Sequence, residues 1–502
     1  MEKPNILLIT TDQQHWNTIG ALNPEIHTPN LDRLVREGTT FTRAYCPNPT
    51  CTPSRASIIT GMYPSQHGAW SLGTKLMESV HTVGEDFVEH GYRTALVGKA
   101  HFQPLGSTPE YSSLETHSLL QDLDLWRAFH GPFYGFEHIE IARNHGPEHL
   151  VGQHYAIWME KQGLHNWREY FAEPTGSLPK EIRGRWQIPE QYHQNAWIAG
   201  EVNQLLHEYK NNDQNFFLWA SFFDPHNPYV APEPWDQMYD PQSLQVPKAK
   251  EGEHAQNPPH FGMTQQPEPD FSSYSESGQF LHGFRSHLQN EEQTKKDWAV
   301  YYGMISHLDK YVGKILDTLE ELGLRDRTVV LFTSDHGDLC GHHQLNKKGA
   351  FHYEDLIRVP FMVRYPGHIP AGEVKTDMQS LVDLAPTFLS MCGIPVPGSM
   401  TGKVQSSVWL GSDNKVRDHV ICENHHEPTT IHLKTYVEQR YKITVYFGQL
   451  YGEMYDLDQD PGEFDNLWHN PAFATLKQEL LLKFLWAEFG KEAMPMPRIS
   501  GA

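Results

Sequence analysis

The sequence predicts an α/β chain: a large, mixed but mostly parallel sheet sandwiched by helices over residues 1–400, and a smaller α+β unit with an antiparallel sheet and terminal helix over 401–502. Three observations carry this. Short apolar runs recur, each closed by a polar or glycine-containing turn. Amphipathic helical segments alternate with them, as βαβ units require. Past residue 400 that rhythm gives way to strand-like segments with antiparallel character.

Taken in chain order, the first buried strand is "NILLITT" (5–11), followed by a helix in "NLDRLVREG" (30–38) that ends on glycine. A second helix in "TVGEDFVEHG" (82–91) precedes the strand "TALVG" (94–98). The runs "FFLWASFF" (216–223), "TVVLFTS" (328–334) and "PFMVRY" (360–365) complete a set of buried parallel strands. In "SHLDKYVGKILDTLEELGL", Leu308, Val312, Ile315, Leu319 and Leu322 recur at three- and four-residue spacing, one apolar helical stripe stopped near Gly323. Residues 103–190 and 228–298, rich in Gly, Pro, His, Gln and aromatics, break the alternation and read as walls of a substrate pocket. "TYVEQRYKITVYF" and "GEMYDL" read as antiparallel strands, with a helix near 473–489.

Composition limits the function. A formal charge of −22 excludes nucleic acid and anionic membrane as partners, since either would repel the chain. No apolar run reaches membrane-spanning length, and the run at Ile6–Ile9 is too short for a secretory signal. Five cysteines with no CxxC pair make no disulfide framework, so the expected location is the reducing cytoplasm.

Functional groups of a parallel sheet lie just past the carboxyl ends of its strands. Here those ends lead into Asp12 and Gln13, Lys99 and His101, Asp224 and His226, and Asp335 and His336. Asp12, Gln13, Asp335 and His336 offer oxygen ligands and one nitrogen, a set suited to a divalent cation: Ca2+ foremost, with Mn2+ or Zn2+ as alternatives. Arg55, Lys99, His101, His226 and Lys348 would ring an anion placed at that metal. Among 31 histidines most are structural, and His425 and His426 are weaker candidates for substrate contact. Cys51 is a lone thiol in "PNPTCTPSRAS" (47–57).

The "CTPSR" of 51–55 resembles the C-x-P-S-R signature of the formylglycine-dependent sulfatases in the alkaline phosphatase superfamily. "ITGMYPSQHG", "GYRTALVGKAHF", "FFDPHNPY", "SDHGD", "NKKGAFHYEDLIRVPF" and "MYDLDQDPGEFDNLW" resemble further blocks of that family in the family's order. The resemblance implies an alkaline-phosphatase-like fold and sulfate monoester hydrolysis, on an aryl or carbohydrate sulfate. It implies that a maturation enzyme converts Cys51 to formylglycine, whose hydrated diol attacks sulfur and later collapses to release sulfate. It makes Asp12, Gln13, Asp335 and His336, with the modified Cys51, the metal site. It gives Arg55 and Lys99 the diol and the nearby anion, His101 the diol's breakdown, and His226 with Lys348 the sulfate and the leaving oxygen. Gln13 and His336 stand where many members carry Asp and Asn, and this pair resembles the subset of phosphonate monoester hydrolases and promiscuous arylsulfatases. A phosphonate or phosphate diester hydrolase is therefore the alternative activity, and a non-catalytic binding protein on the same scaffold the second. The tail "KEAMPMPRISGA" is a candidate contact in a homo-oligomer.

Overall fold

The computed structural model describes residues 3–500 apart from 145–147, 172–183, 248, 276–282, 413–414, 427–429, 495 and 497–498. At its centre β1 (Asn5–Thr11) is buried along its whole length, in an eight-stranded sheet. The other strands are β2 (Thr39–Phe41), β3 (Arg93–Gly98), β4 (His138–Ile141), β5 (Phe216–Ser221), β6 (Thr328–Ser334), β7 (Phe361–Arg364) and β8 (Glu373–Lys375). Their spatial order is β8-β2-β7-β6-β1-β5-β3-β4. The block β6-β1-β5-β3-β4 is parallel throughout.

Because side chains alternate across a strand, β1 feeds two cores. Leu7 and Ile9 pack with α1 (Pro29–Glu37), α3 (Gln194–Asn211) and α4 (Glu291–Glu321) on one face. Ile6 and Leu8 pack on the other face with Ile58 and Ile59 of α2 (Cys51–Thr60) and Phe388 and Leu389 of α5 (Leu384–Met391). Burial on both faces is why these strands read as continuous apolar runs. The stripe from Leu308 to Leu319 lies in α4, which stops at Glu321 before the left-handed Gly323.

Register sets the height of the functional groups. Thr11 pairs with Ser334, and Ser221 with both Thr10 and Gly98, so Asp12 and Asp335 leave the sheet at one level and Lys99 and Phe222 one residue earlier. Gly98 is required there: its φ is 107°, and a β-carbon would sit 1.9 Å from the Ser221 carbonyl oxygen.

Two expectations change. The 360–365 run is a strand, but β7 runs antiparallel to β6, with Phe361 opposite Thr333 and Arg364 opposite Val330. The chain between β6 and β7 stays at the carboxyl edge and builds the site, without the crossover helix that a parallel return needs. The 103–190 stretch does more than form a wall, since it supplies the edge strand β4. Beyond the large sheet, β9 (His419–His425), β10 (His432–Glu438), β11 (Tyr441–Tyr446) and β12 (Gly452–Asp456) form an antiparallel meander. Leu480, Phe484 and Ala487 of α6 (Ala474–Phe489) pack onto it against Ile421, Ile443 and Met454.

Candidate active site

Cys51 is the first residue of α2, a helix buried over all of its residues although half of them are polar. The helix thus starts two residues before Pro53, whose missing N–H falls where no intrahelical partner exists. Ser54 pins the helix to the end of β6 by donating to the Asp335 carbonyl at 2.6 Å. The first-turn amides and the helix dipole favour negative charge at position 51. Burial and Asp12 push the Cys51 thiol up, yet Lys348 and Lys99 outweigh them and pull it down to about 7. The field here therefore favours an anionic atom at the end of this side chain.

Ligating atoms of Asp12, Cys51, Asp335 and His336 lie within 4.8 Å of one another, all buried. The Cys51 sulfur is 3.5 Å from Asp12 Oδ1 and 3.3 Å from His336 Nε2. His336 Nδ1 faces the Gly337 carbonyl at 2.8 Å, so it carries the proton and Nε2 presents its lone pair to the cluster. Gln13, held at a φ of 65°, donates its Nε2 to Asp338 Oδ2 at 2.6 Å and to Asn227 Oδ1 at 3.4 Å. Its Oε1 is buried and receives no hydrogen bond from the described residues. A buried amide oxygen without a donor costs on the order of 1–3 kcal/mol. A cation among two carboxylates, an imidazole lone pair and this oxygen removes that cost, so the residues fit a hard or borderline divalent metal.

The cations sit around the same point. Lys348 Nζ lies 3.0 Å from Cys51 Sγ and 3.2 Å from both His226 Nε2 and His336 Nε2. Lys99 is ion-paired with Asp12 in full burial. Burial works against ionised Asp12, but Lys99, Lys348 and Arg55 hold it well below the usual carboxylate range. Arg55 donates Nε to Asp335 Oδ2 at 2.8 Å and Nη1 to the Lys99 carbonyl at 2.8 Å, while its buried Nη2 has no hydrogen-bond partner among the described residues. His226 donates Nδ1 to the Asn227 carbonyl at 2.6 Å; burial and then Lys348 push its imidazole well below the ordinary range, so it is neutral.

His101 has a φ of 59° and meets the Arg143 guanidinium at 2.6 Å. His425, at the end of β9, stacks on Trp70 and on His432 with ring centroids 4.4 and 4.7 Å apart. His426 is buried and lies over the Phe284 ring at 5.7 Å. Two site residues, Glu115 and Arg143, escape the strand-end logic, while Asp338 follows the end of β6. Asp338 orients Gln13 and also accepts the Tyr229 hydroxyl at 2.7 Å. Glu115 binds the backbone amides of His101, Phe102 and Gln103 at 2.9–3.0 Å, and Arg143 comes from the 103–190 stretch. Asp338 had a signal in its place three residues after Asp335; Glu115 and Arg143 had none.

A family model described as Sulfatase matches residues 4–394. The chain belongs to the sulfatase family. A second model, the C-terminal part of N-sulphoglucosamine sulphohydrolase, matches residues 341–488 of this sulfatase. An arylsulfatase of Clostridium perfringens is 28% identical over 479 residues, covering 94% of this chain and 91% of that protein. A multifunctional alkaline phosphatase superfamily protein, PehA of Trinickia caryophylli, is 28% identical over 515 residues, covering 97% and 95%. The crystal structure of the phosphonate monoester hydrolase of Agrobacterium radiobacter superposes with a TM-score of 0.81 at 24% identity, covering 98% of this chain and 97% of that one. The fold is thus that of the alkaline phosphatase superfamily, and the activity class is sulfate ester hydrolysis. Among the described residues no helix is long and apolar enough to cross a membrane.

Proposed function

We propose that this sulfatase cleaves a small aryl or carbohydrate sulfate monoester at Cys51, converted to formylglycine by a maturation enzyme. One divalent cation, Ca2+ by preference, is held by Asp12, Gln13, Asp335 and His336. The observation that carries the reading is the convergence of Asp12, Asp335, His336 and Lys348 on one buried sulfur, together with a buried Gln13 oxygen that receives no hydrogen bond among the described residues. When bound, the cation and the hydrated aldehyde supply charge neutralisation and an oxygen nucleophile at neutral pH.

The chain's own residues do the rest. Lys99 keeps Asp12 ionised, and Arg55 holds the Asp335 carboxylate in place by donating to its Oδ2. Arg55 Nη2 donates to the ester's non-bridging oxygens, and the Lys348 ammonium binds the sulfate and donates to the leaving oxygen, where negative charge develops as the ester bond breaks. Neutral His226, 3.2 Å from Lys348, relays a proton toward the leaving oxygen, and the buried walls exclude bulk water.

The pairing of Gln13 with His336, and a relative described as multifunctional, favour one second reading: hydrolysis of phosphonate monoesters or phosphodiesters by the same groups. Side-by-side kcat/KM values on an aryl sulfate and an aryl phosphonate monoester decide between them. A phosphonate preference of about a hundredfold or more overturns the sulfate reading. Five free cysteines support a reducing cytoplasm as the location. Leu482, Leu485, Trp486 and Phe489 leave an exposed apolar stripe on α6 that supports self-association, read by the solution mass of a Trp486→Glu variant.

A further inference from the structure

The edge strand β4 carries a cluster that the chemistry at Cys51 does not use. Side chains alternate along it, so Ile139 and Ile141 enter the core beside α2 while His138 and Glu140 face the α3 side. His130 closes over them, its ring parallel to that of His138 within 1° and 5.6 Å away between centroids. One carboxylate oxygen, Glu140 Oε1, lies 2.7 Å from His130 Nδ1 and 3.5 Å from His138 Nε2. Glu201 of α3 faces the same carboxylate. None of these four residues lies in a sequence block that resembles the family.

The cluster lacks a cation of its own. Two carboxylates turned on one another in partial burial are costly unless positive charge stands between them. Burial and then Glu140 push the Glu201 carboxyl up to about 7, with Lys161 and His130 offsetting only part of this. Glu201 takes no hydrogen bond from the described residues, and neither does the His138 ring. The buried Nδ1 of His130, close as it is to Glu140, forms no aligned hydrogen bond with the described residues. His154 is also within reach of His130 and Glu140, but its ring is spent. Its Nδ1 accepts the Ile141 amide at 2.9 Å, and its Nε2 donates to the Phe129 carbonyl at 3.0 Å.

We propose that His130, His138, Glu140 and Glu201 form a second divalent-metal site, suited to Zn2+, that clamps β4 to α3. Two imidazoles and two carboxylates are donors that Zn2+ accepts in four-coordinate sites. Such an ion, with bonds of about 2.1 Å, holds its donors about 3.4 Å apart, so the His130 ring need move by less than about 1 Å. The two imidazoles are 38% and 37% exposed, which opens the site to ions from solvent. β4 lies three strands from β1, and the partner of His138, Ala95, is level with Leu7, five residues short of Asp12. The site is therefore about 20 Å from the ligands around Cys51. It does not rest on the activity assigned above.

The test uses Zn2+ itself on the whole chain. Asp12→Asn impairs the cluster around Cys51, and this variant should still bind one Zn2+ per chain in equilibrium dialysis. Adding His138→Ala should weaken that binding by at least about tenfold to a hundredfold, the loss that even an outer partner of a metal brings. Zn2+ should also raise the melting temperature of Asp12→Asn protein, and the rise should vanish with His138→Ala or Glu140→Gln. In the wild-type background, His138→Ala should leave kcat/KM on an aryl sulfate unchanged. Equal Zn2+ binding and an equal thermal shift with and without His138 overturn the proposal. Crystals of the wild type grown with Zn2+ need no variant to fold. An anomalous peak at the zinc edge between His130 and Glu140 is expected, and its absence overturns the proposal.

Discussion

Replacing Lys348 with methionine isolates the claim that its ammonium acts on the leaving oxygen. Methionine is close in volume and fits the same buried channel, so the change removes charge more than packing. The ammonium is 3% exposed and within 3.0–3.2 Å of Cys51, His226 and His336. A preorganised donor in such a site contributes about 3–4 kcal/mol to the transition state, which is about a hundredfold to a thousandfold in kcat. Burying an ammonium also costs desolvation, which methionine does not incur, so the melting temperature should not fall. The assay compares kcat/KM for a series of aryl sulfates of graded leaving-group acidity. The loss should be largest for phenyl sulfate and smallest for para-nitrophenyl sulfate, whose departing oxygen needs little protonation. An equal loss across the series refutes leaving-group assistance and reduces Lys348 to an anion contact.

Asp338→Asn should weaken divalent-metal binding by about tenfold to a hundredfold in equilibrium dialysis, because it lets the Gln13 amide turn its oxygen away from the cluster. His343 lies between Asp355 and Glu253 at 3.6 and 3.5 Å and stacks on Tyr353. Burial disfavours its charge, but these two carboxylates raise it to about 9. A folded value above the ordinary 6.5 means the contribution is complete below pH 6.5 and is lost as pH rises through 9. The loss is on the order of 3 kcal/mol, and in urea titrations across that window His343→Asn should flatten the decline. Phe484→Ala removes a ring that is 4% exposed under the meander and should cost about 3–5 kcal/mol, read as an earlier urea transition.

The site was legible where local sequence determines position. Asp12, Gln13, Lys99, Asp335 and His336 follow apolar runs directly, and parallel register carries those strand ends to within one residue of one level. The direction of β7 was not, because an apolar strand looks the same in either sense, and only the path of the preceding segment sets it. The edge strand β4 is four residues in a half-polar pattern, too short to stand out from the insertion around it. Glu115 and Arg143 could not be read, since their pairing spans 28 residues and exists only through the fold. His425 and His426 were adjacent in sequence, but one is stacked on Trp70 and the other is buried over Phe284, so sequence proximity gave no common role.

The most direct measurement joins mass spectrometry of the Cys51 peptide to turnover. Protein produced with and without a formylglycine-generating enzyme is titrated for the fraction converted, and each preparation is assayed on an aryl sulfate. The account predicts that kcat rises in proportion to the converted fraction and extrapolates to zero with the thiol intact. Full sulfatase turnover in protein whose Cys51 is entirely unmodified would contradict it.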